Sequence, residues 1–580
     1  MNRKFSLYAL AAGALLLCSA CEDLDYVPAD QLSGGTFWQT EDHARQAAVG
    51  LYNAVRQPWC FGMEFTFDMC SDLADGSSPW SDVSRGTAFA SNSSGVQNHW
   101  QYLYELVHRS NTVIRNVATM PISRETIDRV TGEAKFLRAM AYFRMLCCWG
   151  GVPYYDETCD INEQFAALDA PRCTADELRA HILADLADAI ALLPVRWADA
   201  DYGRATRGAA YALRGKVRLY NKEWDAARAD FEEIVYDRSA DYGYALHADY
   251  NELFRLYNGR HSAEMIFSIQ SIDGNTSGYA LDIVSYFGNK STMRNIASNR
   301  IVPSTTLVDM YERPDGSPFR WDDVFPGFED GDGQLRRGLL CVAISQDATT
   351  IIDTLGCDVE AVRRAYEERD PRLCLNVITP YSHYLGTDAA SVPMDKEFVL
   401  ADPTRGGSPI PAAAFIPNSE GWNSYFWRKW IPTGNLDGYW GEYNRTPYEF
   451  PLLRLGDVLL MLAEAKNELG DLDGAVAEVN KVRARVGMPG LNSGAPWLAV
   501  TSQDEMTLRI RRERAYELAG EGQRYWDLRR WGMLAESVRD ATDIFGDLMY
   551  RRTYQPRHET WPIPLVELER NRNLVQNEGW

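Results

Sequence analysis

Two stretches of this chain combine the residue types that hold a ring-shaped polar ligand. Residues 71–100 read SDLADGSSPWSDVSRGTAFASNSSGVQNHW, which sets Trp80, Arg85, Phe89 and Asn98 among small polar residues. Between about Asp273 and Phe325 stand Tyr279, Tyr286, Phe287, Arg294 and Trp321. A sugar ring has an apolar C–H face and a rim of hydroxyls. Its site therefore wants aromatic rings for stacking and amide, carboxylate or guanidinium groups for the rim. Trp80 and Trp321 are the leading stacking candidates, with Arg85, Phe89, Asn98, Tyr286 and Arg294 as further contacts.

Catalytic chemistry finds less support. Glu513 and Glu517 share a helix face at i, i+4, among Arg511, Arg512, Arg514, Glu521 and Arg524. Those arginines keep both carboxylates ionised, the wrong state for a general acid, so a structural ion-pair network is expected. A glycosidase needs paired carboxylates across a cleft, and 81 acidic residues leave room for such a pair. Yet HExxH, GxSxG and P-loop patterns are all absent. The run EDGDGQ looks faintly like a calcium loop, but counting from Asp330 the twelfth position is Cys341, not glutamate. Beyond Cys18 and Cys21 of the leader region CxxC is also absent, so no catalytic residue, metal or cofactor is expected.

A third kind of chemistry belongs to a cysteine near the start. Arg3 and Lys4 precede thirteen uncharged residues, Phe5 to Leu17, and then come Ser19, Ala20 and Cys21. That is the order of a secretory signal, and the apolar run is short of the roughly 20 residues of a membrane-spanning helix. A cysteine straight after the small pair resembles a bacterial lipoprotein signal, in which Cys21 would be acylated and become the new N-terminus. Such signals usually carry Leu three residues before that cysteine; here it is Cys18. An ordinary secretory signal cut near Ala20, leaving Cys21 as a thiol, is the alternative. Stable anchoring needs more than one acyl chain, and lipoproteins of this type usually carry several, palmitate among them. Glu22, Asp23 and Asp25 resemble the acidic signals that send Bacteroides lipoproteins to the cell surface.

The elements that must position these groups are mostly helical. The 580 residues are 46% hydrophobic, a globular composition large enough for a substantial core. Loss of Arg3 and Lys4 with the leader takes the formal charge from −22 to about −24. That balance argues against nucleic acid and against adhesion to anionic lipid. Eleven cysteines at irregular spacing do not form a disulfide framework. After a leader over 1–20 and an extended tether over 21–35, helical patterns dominate to residue 236. TEDHARQAAVGLYNAV (Thr40–Val55) opens with a capping signal, and Gly132–Trp149 is apolar on a wide arc, as a sandwiched helix should be.

Tyr211–Ile234 and Leu459–Val482 match at a constant offset of 248, with Gly215 against Ala463 and Phe231 against Val479. Each is a helix, a tight turn and a second helix, which resembles the tetratricopeptide pattern. Between them, residues 237–450 lose helical periodicity and gain Gly, Pro, Asn, Asp and aromatics, as loop-rich binding insertions do. The dense cluster Trp422, Tyr425, Phe426, Trp427, Trp430, Tyr439, Trp440 and Tyr443 is expected to be an extended core segment. The expected organisation is one domain over 36–580, with a helical scaffold at 36–236 and 451–545 around that insertion.

Five blocks in order then resemble the SusD/RagB family of Bacteroides outer-membrane lipoproteins. They are CEDLDYVPADQLSGGTFWQTEDHARQAAVGLYNAV, WQYLYELVHRSNTVI, GEAKFLRAMAYFRMLCCWGGVPYYDE, LLRLGDVLLMLAEAKNELG with VAEVNKVRARVG, and RRERAYELAGEGQRYWDLRRWG with the terminal IPLVELERNRNLVQNEGW. The resemblance implies a mostly α SusD-like fold with tetratricopeptide-like hairpins. It also implies a non-enzymatic, lipid-anchored protein at the outer membrane that captures oligosaccharide or polysaccharide for a SusC-like TonB-dependent transporter. In that family the glycan site is usually built from the loop before the W…Y helix and from loops of the insertion, the same two regions. A peptide cargo, a helical-repeat protein-interaction scaffold and a surface hydrolase are the competing readings; the long aromatic insertion counts against the scaffold.

Overall fold

The computed structural model describes residues 37–159, 168–255, 261–271, 281–289, 299–387, 392–401, 415–417, 423–431 and 448–580. Helix α1 (Glu41–Val55) begins where the Thr40 hydroxyl accepts from the His43 N–H at 3.2 Å. Helices α2 (Ser94–Val117), α3 (Arg124–Trp149) and α4 (Ala175–Leu192) follow. The wide apolar arc of α3 is explained by its neighbours, because it packs against α1, α2 and α4. None of the described helices is long and apolar enough to cross a membrane.

The two look-alike segments are helical hairpins. Helices α5 (Arg207–Tyr220) and α6 (Trp224–Glu232) form the first, and α7 (Leu455–Glu468) and α8 (Leu472–Arg485) the second. Both helix starts are offset by 248, the spacing of the sequence match. Gly215 shows what the small residue does: a Cβ there would lie 2.5 Å from the Phe231 ring. Each turn also needs a left-handed residue, which is Gly470 (φ 81°) in the second hairpin and Lys222 (φ 60°) in the first. Helix α6 packs on α7, so the hairpins stack although a long insertion separates them in sequence. Helix α9 (Gln503–Leu518) covers α7 and α8, and the short α10 (Arg524–Arg530) follows it.

Strands are short and paired across long sequence distances. They include β1 (Ala74–Gly76), β2 (Met265–Ile269), β3 (Ile301–Pro303), β4 (Phe450–Arg454) and β5 (Leu548–Tyr550). Antiparallel pairing of β2 with β4 ties the start of the insertion to the strand that leads into α7. Within the insertion Tyr425, Phe426, Trp427 and Trp430 are buried, and Trp427 stacks on Phe287 at 4.9 Å. Tyr425–Trp430 is thus core, as expected, while Trp422, Tyr439, Trp440 and Tyr443 lie outside the described residues.

Two interior features hold these parts together. The first is an aromatic core of Phe67, Trp80, His99, Trp149, Tyr525, Trp526 and Trp561. The Trp149 indole donates to the Pro562 carbonyl at 3.0 Å, so the C-terminal segment seals the end of α3. The second is an ion-pair network, as expected, but among the described residues Glu513 and Glu517 pair with distant arginines and not with Arg511, Arg512, Arg514 or Arg524. Glu513 meets Arg372 at 2.6 Å and Arg483 at 3.1 Å; Glu517 meets Arg454 at 2.7 Å, Arg372 at 3.3 Å and also Arg485. Arg454 reaches Glu264 and Glu521, and Lys429 reaches Glu521 at 2.7 Å, so the insertion is wired to the scaffold. Burial works against the charge on Glu517, but Arg485, Arg454 and Arg372 hold its carboxyl well below the usual range.

Candidate ligand-binding face

Pairing of β1 with β3 brings the two polar-aromatic stretches together, in register Ala74 to Pro303 and Gly76 to Ile301. The Ser77 N–H continues the ladder to the Arg300 carbonyl at 3.0 Å, and the Arg300 N–H reaches the Tyr286 carbonyl at 2.8 Å. The Arg300 guanidinium lies 5.1 Å from the centre of the Tyr286 ring. Strand β5 joins from the far end of the chain. The Tyr550 hydroxyl accepts from the Gly76 N–H at 2.9 Å and donates to Asp75 at 3.2 Å. Arg552 donates to the same Asp75 oxygen at 2.9 Å. Burial raises the Asp75 pKa, and Arg552 opposes that shift.

Arg85 ends the short helix that follows β1 and sits over the Tyr550 ring at 4.5 Å. Its Nε is buried without a partner, and among the described residues its guanidinium forms no ion pair. A cation held by a ring face but not by a carboxylate keeps its donors for a ligand. The arrangement offers a half-buried tyrosine ring, a free guanidinium and a flanking Arg300–Tyr286 pair. Those are groups for binding a polar ring, with no nucleophile–base pair among them.

The two leading stacking candidates are both buried. Trp80 is only 1% exposed; it stacks on Phe67 at 4.8 Å and donates to the Thr66 hydroxyl at 2.8 Å. Trp321 is 5% exposed, stacked on Phe328 at 4.8 Å, with its N–H on Asp309 at 2.8 Å. Both indoles have satisfied N–H groups and rings covered by protein, so neither offers a face. Tyr286, 9% exposed, packs edge-on against Phe65 and is a wall rather than a platform. Phe89 is 48% exposed, but its neighbour is Arg557 of the C-terminal segment at 5.4 Å. Asn98 is half-buried on the second turn of α2, away from the contacts just described, and Arg294 and Cys21 lie outside the described residues. Sequence reasoning missed Asp75, Arg300, Tyr550 and Arg552; nothing local marks them, because only β1–β3 pairing and the return of β5 give them a common location.

A larger depression of about 1300 Å³ lies elsewhere, along α1 and α2. Trp38, Trp100, Tyr104 and Tyr155 give it aromatic walls, and the Glu105–Arg109 pair lines it. It opens beside Phe37, where the described chain begins.

The fold is thus a stack of helical hairpins carrying a loop-rich aromatic insertion. The chain belongs to the SusD family: the family model of that description matches residues 263–580. A second model, described as "Starch-binding associating with outer membrane", matches residues 30–219. The chain is 26% identical to SusD-like protein P25 of Formosa agariphila, over 97% of this chain and 96% of that one. It is 24% identical to the starch-binding protein SusD of Bacteroides thetaiotaomicron, covering 100% and 99% respectively. A solved SusD-like protein from Bacteroides fragilis superposes with a TM-score of 0.73 at 25% identity, over 96% of this chain and all of that one. The mostly α fold and the family expected from the five sequence blocks are those found.

Proposed function

We propose that this protein is a cell-surface lipoprotein that binds oligosaccharide or polysaccharide and passes it, unmodified, to a SusC-like TonB-dependent transporter in the outer membrane. The observation that carries this reading is the meeting of the two polar-aromatic stretches at the β1–β3 ribbon, with Arg85 unpaired over Tyr550. Starch binding by one relative, and the starch-binding description of the model over residues 30–219, support a carbohydrate cargo. Ligand contacts come from Arg85 and Tyr550 here, not from Trp80 or Trp321. A carrier must release its cargo, so a Kd between micromolar and millimolar, about −8 to −4 kcal/mol, suits the task.

Anchoring is by acylated Cys21. The roughly 16 residues from Cys21 to Phe37 span at most about 55 Å. The depression beside Phe37 lies where that tether joins the described chain. The deciding experiment is calorimetry of the mature protein without Cys21 against plant, host and fungal oligosaccharides and mixed peptides, with product analysis of each mixture. Saturable heat with one glycan class, no products, and its loss in Arg85→Ala is the expected result. Heat with peptides alone would move the cargo to peptide, and released products would make the protein a hydrolase.

A further inference from the structure

A second concave site lies between the hairpins, far from the β1–β3 ribbon in the chain. It is a cavity of about 190 Å³ bounded by the end of α5, the turn into α6, α7, α9 and the residue after α10. At about 30 Å³ per water it has room for roughly six waters, the scale of one sugar ring rather than a chain. Three half-buried aromatic side chains wall it: Tyr220, Trp224 and Trp531.

The charges around it are unevenly paired. Glu464 is fully engaged: Arg530 donates to both its oxygens, at 2.5 and 2.7 Å, and the Trp531 N–H adds a third bond at 3.0 Å. Arg511 has no such partner. Its Nε is buried without a hydrogen bond, and its guanidinium stands 5.1 Å from the Trp531 ring. Burial lowers its pKa, and neighbouring Arg530 and Arg524 add to that against the pull of Glu464. Lys222, held at the mouth by the left-handed turn, forms no ion pair among the described residues. Glu468 at the rim is crowded instead; burial and Glu464 both raise its pKa. Arg530 is shared between Glu464 and Asp527, its Nε on Asp527 at 2.8 Å, which leaves Arg511 and the exposed Lys222 as the lining cations with no ion pair among the described residues.

We propose that this cavity binds a single hexuronic acid residue, a pyranose carrying one carboxylate, with Arg511 as the carboxylate's partner. The aromatic lining, Trp224 above all, meets the C–H face of the pyranose, and Glu468 takes its hydroxyls. A guanidinium without an ion pair in a part-desolvated site matches one carboxylate, which its planar fork can hold by two parallel bonds. The site is independent of the β1–β3 face, so either can fail without the other.

The test is fluorine NMR of fluorotryptophan-labelled protein, with the Trp224 and Trp531 signals assigned by substitution to phenylalanine. Galacturonate and glucuronate should shift both signals saturably, while galactose, glucose and acetate should not. Arg511→Gln should weaken uronate at least tenfold, Arg511→Lys should recover part of the loss, and Lys222→Gln at the exposed mouth should weaken it less. Arg85→Ala should leave these shifts unchanged, which separates this site from the one above. Equal response to neutral sugars, equal response to acetate, or no response at all would overturn the proposal.

Discussion

Trp80→Ala separates a binding residue from a core residue. The indole is covered on all sides, by Phe67, by Trp59 edge-on at 5.5 Å, and by Trp561 at 5.4 Å. The fit is tight enough that a Cβ at Gly95 would lie 2.9 Å from its ring. Truncating a tryptophan so enclosed costs about 3–5 kcal/mol. The buried Thr66 hydroxyl loses its donor, a further cost of about 1 kcal/mol. A loss of about 4–6 kcal/mol is a large part of the 5–15 kcal/mol typical of a domain. Urea unfolding followed by circular dichroism should show the midpoint falling while glycan affinity, measured under conditions where the variant stays folded, changes less than about twofold. Trp80→Phe keeps the stack on Phe67 and should lose less. Undiminished stability together with lost glycan binding in Trp80→Ala would refute the burial reasoning and restore Trp80 as a stacking platform.

The remaining predictions concern the interior charges. Glu517→Ala leaves Arg454, Arg485 and Arg372 short of a partner and should cost about 3–5 kcal/mol in chemical denaturation; a loss under about 1 kcal/mol would mean that the network is incidental. His99 is buried with its Nδ1 2.6 Å from the Trp59 carbonyl; burial, with Arg144 adding, lowers its pKa to about 3. The unfolded chain then binds the extra proton below about pH 6.5, so this contribution is whole above that pH and is lost as pH falls toward 3. His99→Asn should flatten that part of the melting-temperature profile, and an unchanged profile would show that His99 does not carry it. Asp68 runs the other way, since burial raises its pKa to about 7, opposed by the N–H groups of Gly520 and Gly522. Its contribution declines as pH rises from about 4 to 7, and Asp68→Asn should remove that decline.

The scaffold was legible because local rules govern it. Thr40 announced α1, and the pairs Gly215–Phe231 and Ala463–Val479 announced two hairpins with one geometry. The offset survived because close helix approach constrains the same positions in both copies. Glu513 and Glu517 were correctly read as structural, but their partners Arg372, Arg454, Arg483 and Arg485 could not be named, since they come from three other segments. The site was legible only as two regions. Tryptophans in polar loops look like platforms in sequence, whereas a large ring is more often drawn inward, and Trp80 and Trp321 were. Tyr550 carried no signal because its place beside β1 is set by a hydrogen bond from the Gly76 N–H, 474 residues away in the chain.

The aromatic core has a consequence for how the chain comes into being. Phe67, Trp80, His99 and Trp149 emerge early in synthesis, but Tyr525, Trp526 and Trp561 come last, and the bonds from Trp149 to Pro562 and from Arg172 to Val575 close only with the tail. The centre of the early helices therefore cannot be completed while the ribosome is still at work. Contacts of such long separation also form slowly. On the export route proposed above, this delay is useful: a translocation pore passes an unfinished chain, and the last residues to cross are those that release it to fold.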